Sequence, residues 1–79
     1  MKVTVKYFAF FKELTGTAQE FVEIEKGKTT RDLLEIILNK YRLKYNTKIV
    51  IALNQEYIKT DARLNDGDEV AIMVPSSGG

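Results

Sequence analysis

The chain has 79 residues, enough for one small domain whose core leaves little room for an enclosed active site. Apolar residues make up 44% and charged residues 29%, and the net charge is +1 with both signs spread along the chain, which argues against a basic nucleic-acid groove or a face built for an anionic membrane. Cysteine and histidine are both absent, and with them go disulfides, thiol nucleophiles, persulfide carriage, the usual zinc sites and any imidazole base. An enzyme built from this chain alone would rely on carboxylates, lysines, tyrosines or hydroxyls, and no convincing cluster of these is found. No metal site is expected. No apolar run approaches the length of a membrane span and no signal peptide is recognisable, and the chain passes from Met1 almost directly into a strand pattern; a cytoplasmic protein is expected.

Residues Lys2 to Phe8 alternate, with Val3, Val5 and Tyr7 on one face and Lys2, Thr4, Lys6 and Phe8 on the other. That is the pattern of a half-buried strand. The apolar density of Phe8 to Leu14 predicts one or two helical turns against a sheet end, stopped by Thr15-Gly16. Of Phe8, Phe10 and Phe11, at least two are expected as core plugs. Gln19 to Glu25 alternates again, with Val22 and Ile24 inward and Glu23 and Glu25 outward. Lys26-Gly27-Lys28 is a turn.

Thr29 is the predicted cap of a helix running to about Tyr41, with Asp32 as the short acid of a capping box. Leu33, Leu34, Ile37, Leu38 and Tyr41 share one face, which makes this the clearest amphipathic helix of the chain. Arg42 to Lys48 is a basic connector whose cations offset the helix dipole, with a docking patch for an acidic partner as the weaker reading. Ile49 to Leu53 reads as a well-covered strand, Asn54-Gln55-Glu56 as a turn, and Tyr57-Ile58 as a short segment. Thr60 to Leu64 is a loop, with a single turn of helix as the alternative, Asp66-Gly67-Asp68 a strong turn, and Glu69 to Val74 the last strand, with Val70, Ile72 and Val74 inward and Ala71 and Met73 outward. Asp66 and Asp68 are read as turn formers rather than an acid–base pair, Glu23 and Glu25 as solvent-facing, and Lys12-Glu13 as a surface pair. One amphipathic helix against one sheet is a two-layer α+β domain. A hairpin, a crossover helix and further strands suggest a β-grasp, the ubiquitin-like roll. A ferredoxin-like fold normally has two helices of similar size, and the second helical pattern here is too short for that.

Residues 1–74 are expected to form the domain and 75–79 a flexible tail, Pro75-Ser76-Ser77-Gly78-Gly79. Five extended residues reach about 17 Å. Without a Cβ on either glycine, the terminal carboxylate could pass down a channel too narrow for any other dipeptide. The competing reading is a frayed terminus. The Gly79 carboxylate is inert at neutral pH; were a partner that consumes ATP to join it to AMP, it would become a mixed anhydride open to attack. Attack by sulfide or persulfide on that anhydride gives a thiocarboxylate; attack by a lysine amine gives an isopeptide bond. If the first and last strands lie parallel and adjacent, Phe8 and Met73 meet on the face the helix leaves open, and Tyr57 can join them. A small apolar patch at the root of the arm then reads as a docking surface.

Phe8-Ala9 with Lys12-Glu13-Leu14 and Gly16, Thr30 to Leu34, Leu53-Asn54-Gln55, Leu64 with Asp66-Gly67-Asp68-Glu69-Val70-Ala71, and Pro75 to Gly79 together resemble the MoaD family, the small subunit of molybdopterin synthase. The likeness spans essentially the whole chain. It implies a β-grasp fold and no permanently bound cofactor. It implies adenylation of Gly79 by an E1-like, MoeB-like enzyme using ATP, then conversion to a thiocarboxylate. The tail, Pro75, Ser76, Ser77, Gly78 and Gly79, would enter a large MoaE-like subunit in a heterotetramer. There the chain would act as a non-catalytic sulfur donor to a cyclic pyranopterin precursor, building the dithiolene of molybdopterin. The resemblance places Phe8, Tyr57, Met73 and Lys12 at the partner interface. Two departures stand out. The family commonly has Phe-Pro-Pro before the tail where this chain has Met73-Val74-Pro75, and Arg where this chain has Lys12, which weakens any bidentate contact there. The thiamin-pathway sulfur carrier ThiS shares the diglycine but tends to lack the stretch from Phe8 to Gly16. Ubiquitin-like modifiers attached to lysines share both fold and tail.

Overall fold

The computed structural model describes residues 1–43 and 48–75. The chain runs β1 (Lys2–Tyr7), α1 (Ala9–Thr15), β2 (Gln19–Glu23), α2 (Thr30–Lys40), β3 (Val50–Leu53), β4 (Glu56–Ile58) and β5 (Glu69–Met73). The five strands form one sheet in the order β2-β1-β5-β3-β4. β1 and β5 are parallel, and the remaining neighbours are antiparallel. With α2 packed across one face, this is the β-grasp topology. The short α1, between the two strands of the first pair, rules out the ferredoxin-like arrangement.

Alternation decides which side chains enter the core. Val3, Val5 and Tyr7 of β1, Val70 and Ile72 of β5 and Val22 of β2 all point at α2, and Leu33 and Ile37 of α2 meet them. Phe11 and Leu64 close the ends of this cluster. α2 opens on the expected capping box: the Asp32 amide donates to the Thr29 hydroxyl and the Thr29 amide to the Asp32 carboxylate at 3.0 Å. Such a cap stabilises by about 1 kcal/mol. Thr30 is a buried polar residue, and its hydroxyl is fully used: it donates to Asp61 at 2.9 Å and accepts from the Ala62 amide at 3.2 Å. Asp61 also accepts from the Arg31 amide at 2.9 Å. That backbone bond, aided by the Thr30 hydroxyl, holds the Asp61 carboxyl below its ordinary range. The loop after β4 is thus tied to the start of α2. Asp66 and Asp68 are turn formers as expected, accepting from the amides of Lys2 and Asn65.

Three expectations need correction. Of Phe8, Phe10 and Phe11, only Phe11 is buried. α1 spans two turns and has room for one ring against the core, and Phe8, in extended backbone before it, is carried outward. Ala71 sits on the open face yet is buried, because its neighbour across the ladder is Ala52, itself opposite Tyr57, and two methyl-sized side chains lie low among larger ones. Finally, β2 ends at Glu23 and β5 at Met73, each sooner than the alternation suggested, although Ile24 remains buried. The connector residues 44–47 lie outside the described residues.

Candidate functional site

The parallel pairing of β1 with β5 brings their C-terminal ends to the same end of the sheet, with Tyr7 beside Ile72. One residue later the Phe8 amide donates to the Ile72 carbonyl at 3.3 Å. α1 therefore starts where β5 is about to end. The chain then leaves the sheet through Met73 and Val74 to Pro75. The tail residues Ser76, Ser77, Gly78 and Gly79 lie outside the described residues.

A groove of about 430 Å³ opens at this point, lined by Val50, Tyr57, Met73, Val74 and Pro75. Its walls follow from the register. Val50 faces Met73 across β3 and β5, and Tyr57 reaches the same open face from β4. Tyr57 is 73% exposed, the kind of surface aromatic that interfaces use. Of the residues expected at a docking patch, Tyr57 and Met73 are brought together, and Pro75, expected in the tail, joins them. Phe8 is 48% exposed on the other side of β5 and does not line the groove. Lys12 is exposed in the last turn of α1, which closes on Gly16 in the left-handed region at φ 76°. Val50 and Val74 were missed as groove walls; their signal was parity with Met73 and adjacency to the tail.

A second cluster was also missed. Glu20 shares the inward parity of Val22, and its carboxylate accepts from the hydroxyls of Tyr7 at 2.6 Å and Tyr41 at 2.5 Å and from the Lys40 ammonium at 2.5 Å. Burial pushes the Glu20 carboxyl up, but the three donors outweigh it and hold it below the ordinary glutamate range. Burial, and then the Glu20 carboxylate, push the Tyr7 hydroxyl well above its usual range, so it remains a donor at neutral pH. The cluster clips β2 to the end of α2. It is a structural knot in which every group is already engaged. Among the described residues there is no group of three or more acidic side chains fit to hold a metal ion, and no helix is long and apolar enough to cross a membrane.

The ThiS family model matches residues 5–79. The chain is 43% identical to the molybdopterin synthase sulfur carrier subunit of Chlamydomonas reinhardtii, with the whole of both chains covered. Among solved structures it is similar to a Pyrococcus furiosus protein described as molybdopterin converting factor, subunit 1, at TM-score 0.86 and 35% identity over 96% of this chain and 99% of that one. It is also similar to small archaeal modifier protein 1 of Methanosarcina acetivorans, at TM-score 0.78 and 26% identity over 99% and 96%. A complex of subunits 1 and 2 of the molybdopterin-converting factor from Helicobacter pylori contains a chain similar at TM-score 0.68 and 26% identity over the full length of both. The chain belongs to the ThiS family, as a ubiquitin-like sulfur carrier of the molybdopterin synthase small-subunit, MoaD, type.

Proposed function

We propose that this chain donates sulfur in molybdopterin synthesis through a thiocarboxylate at Gly79. In this reading an E1-like partner binds ATP, and a carboxylate oxygen of Gly79 displaces pyrophosphate from it to give the acyl adenylate. Sulfide-level sulfur then displaces AMP and leaves the thiocarboxylate. Its sulfur is soft and ionised at neutral pH, and five residues past Val74 reach about 17 Å if extended. A large MoaE-like subunit receives the arm and holds the cyclic pyranopterin precursor, and that subunit supplies the catalytic side chains. The groove of Tyr57, Met73 and Pro75 seats the large subunit while Gly78 and Gly79 thread its channel.

The observation that carries this reading is the position of the groove. An exposed apolar surface lies at the root of the segment that ends in the diglycine, and the family match runs to Gly79. Support for a two-subunit assembly comes from the H. pylori complex of subunits 1 and 2. A version with a permanent extra residue after Gly79 tests the reading. It is expected to fold normally and to support no dithiolene formation with the large subunit. Full product formation by the capped chain would overturn the proposal.

A second reading rests on the likeness to an archaeal modifier protein. There the same acyl adenylate passes to a lysine amine and gives an isopeptide bond. Conjugates in cells that vanish when Gly79 is deleted would favour it.

A further inference from the structure

α1 displays more apolar surface than its own folding uses. It sends one ring, Phe11, into the core and leaves Phe10 42% and Leu14 39% exposed. The two are four residues apart, so they stand side by side along the flank of the helix, next to the line that Phe11 sends inward. The Phe10 ring meets the Phe11 ring edge-on at 5.7 Å between centroids. An exposed aromatic steadied by a buried one has little freedom left to lose on binding, which is what an interface anchor needs.

Isolated apolar residues on a surface need no explanation. Ile36 on α2 is of that kind, and Phe21 on β2 lies beneath the Lys2 ammonium, 4.9 Å from its ring. Phe10 and Leu14 differ in being paired and in their place. Their helix follows directly on Phe8, whose amide is bonded to Ile72, next to the residue that ends β5. It follows β1, on one side of β5, while β3 and β4 bring the Tyr57 wall of the groove on the other. The end of β5 thus has the helix that carries Phe10 and Leu14 on one side and the groove on the other.

We infer that the Phe10–Leu14 ridge is a second docking surface for the protein that receives the tail, so that this partner holds the tail root from both sides. The partner's matching surface is apolar and lies beside the mouth of a glycine-width channel. Lys12 and Glu13 cancel within α1, so the contact works by burying apolar area rather than by charge. The inference rests on the proposed function, because it assumes a tail-accepting large subunit. It adds two contact residues to that reading and a reason for α1 to be so rich in apolar side chains.

The test compares wild type, the Phe10→Gln/Leu14→Gln variant, Met73→Arg and a chain lacking Gly78 and Gly79 for binding to the large synthase subunit by calorimetry. The ridge variant is expected to raise Kd about tenfold or more while keeping the wild-type melting curve. A Kd within about twofold of wild type, alongside clear weakening by Met73→Arg, overturns the ridge and leaves the proposed function standing. Wild-type affinity for all three altered chains overturns both. Should the ridge variant fold poorly, amide hydrogen exchange of the wild type decides: slowed exchange across residues 9–15 in the complex supports the ridge, and unchanged exchange there contradicts it.

Discussion

The amide of Phe8 donates to the carbonyl of Ile72, and this bond sets the first residue after β1 beside the last turn of the ladder before the tail. Two stretches far apart in sequence become one end of the molecule. The apolar groove, α1 and the departing arm all follow from that parallel pairing.

The groove gives the first prediction. Met73→Arg places a charge on an apolar wall without entering the core, where Met73 is only half-buried. Binding to the large subunit is expected to weaken by about 2 kcal/mol, or roughly thirtyfold in Kd, with thermal stability preserved. Calorimetry together with a melting curve checks both halves.

α1 should respond asymmetrically to truncation. Phe11 is fully buried, so Phe11→Ala is expected to cost about 3–5 kcal/mol and to leave the domain barely folded. Phe10→Ala removes a ring that is already half in water and should cost about 1 kcal/mol or less. Urea denaturation of the two variants separates them.

The Glu20 cluster predicts an acid-sensitive clip. Its three donors hold the folded carboxyl below its unfolded value, so the stabilisation is present above the ordinary glutamate range near 4.3 and is lost as pH falls through the lower folded value. Glu20→Gln should lower stability by about 1–3 kcal/mol at neutral pH. It should also flatten the part of the acid unfolding curve that wild type shows below about pH 4.5. A variant as stable as wild type at neutral pH would contradict the assignment.

The β3–β4 turn offers a gain. Asn54 and Gln55 both have positive φ, 50° and 71°, as a two-residue hairpin turn requires. Gln55 pays a steric penalty there that glycine does not, so Gln55→Gly is expected to stabilise by about 0.5–1 kcal/mol, read as a rise in melting temperature.

Much of this architecture is legible along the chain because its strands and α2 obey simple periods. Val3, Val5 and Tyr7 at period two and Leu33 and Ile37 at helical spacing reach the core as alternation predicts. What escaped the sequence depends on distance in the chain. Glu20 has inward parity, but nothing local says that Tyr7 and Tyr41 will converge on it. The run from Phe8 to Phe11 is uniformly apolar, so periodicity alone does not tell which ring a two-turn helix will bury. Ala71 is covered by its neighbours across the sheet, and register is needed to see it. For the candidate site, Tyr57 and Met73 were readable from parity and position, whereas the separation of Phe8 from their groove is a matter of strand order.

The central claim is that the reactive group is the end of the main chain. Its most direct test is the intact mass of the full chain after incubation with its adenylating enzyme, ATP and a sulfur source. The account predicts that one oxygen is exchanged for one sulfur, that fragmentation maps the exchange to Gly79, and that deleting Gly79 abolishes it. An unchanged mass with active partners, while dithiolene formation proceeds, would contradict it.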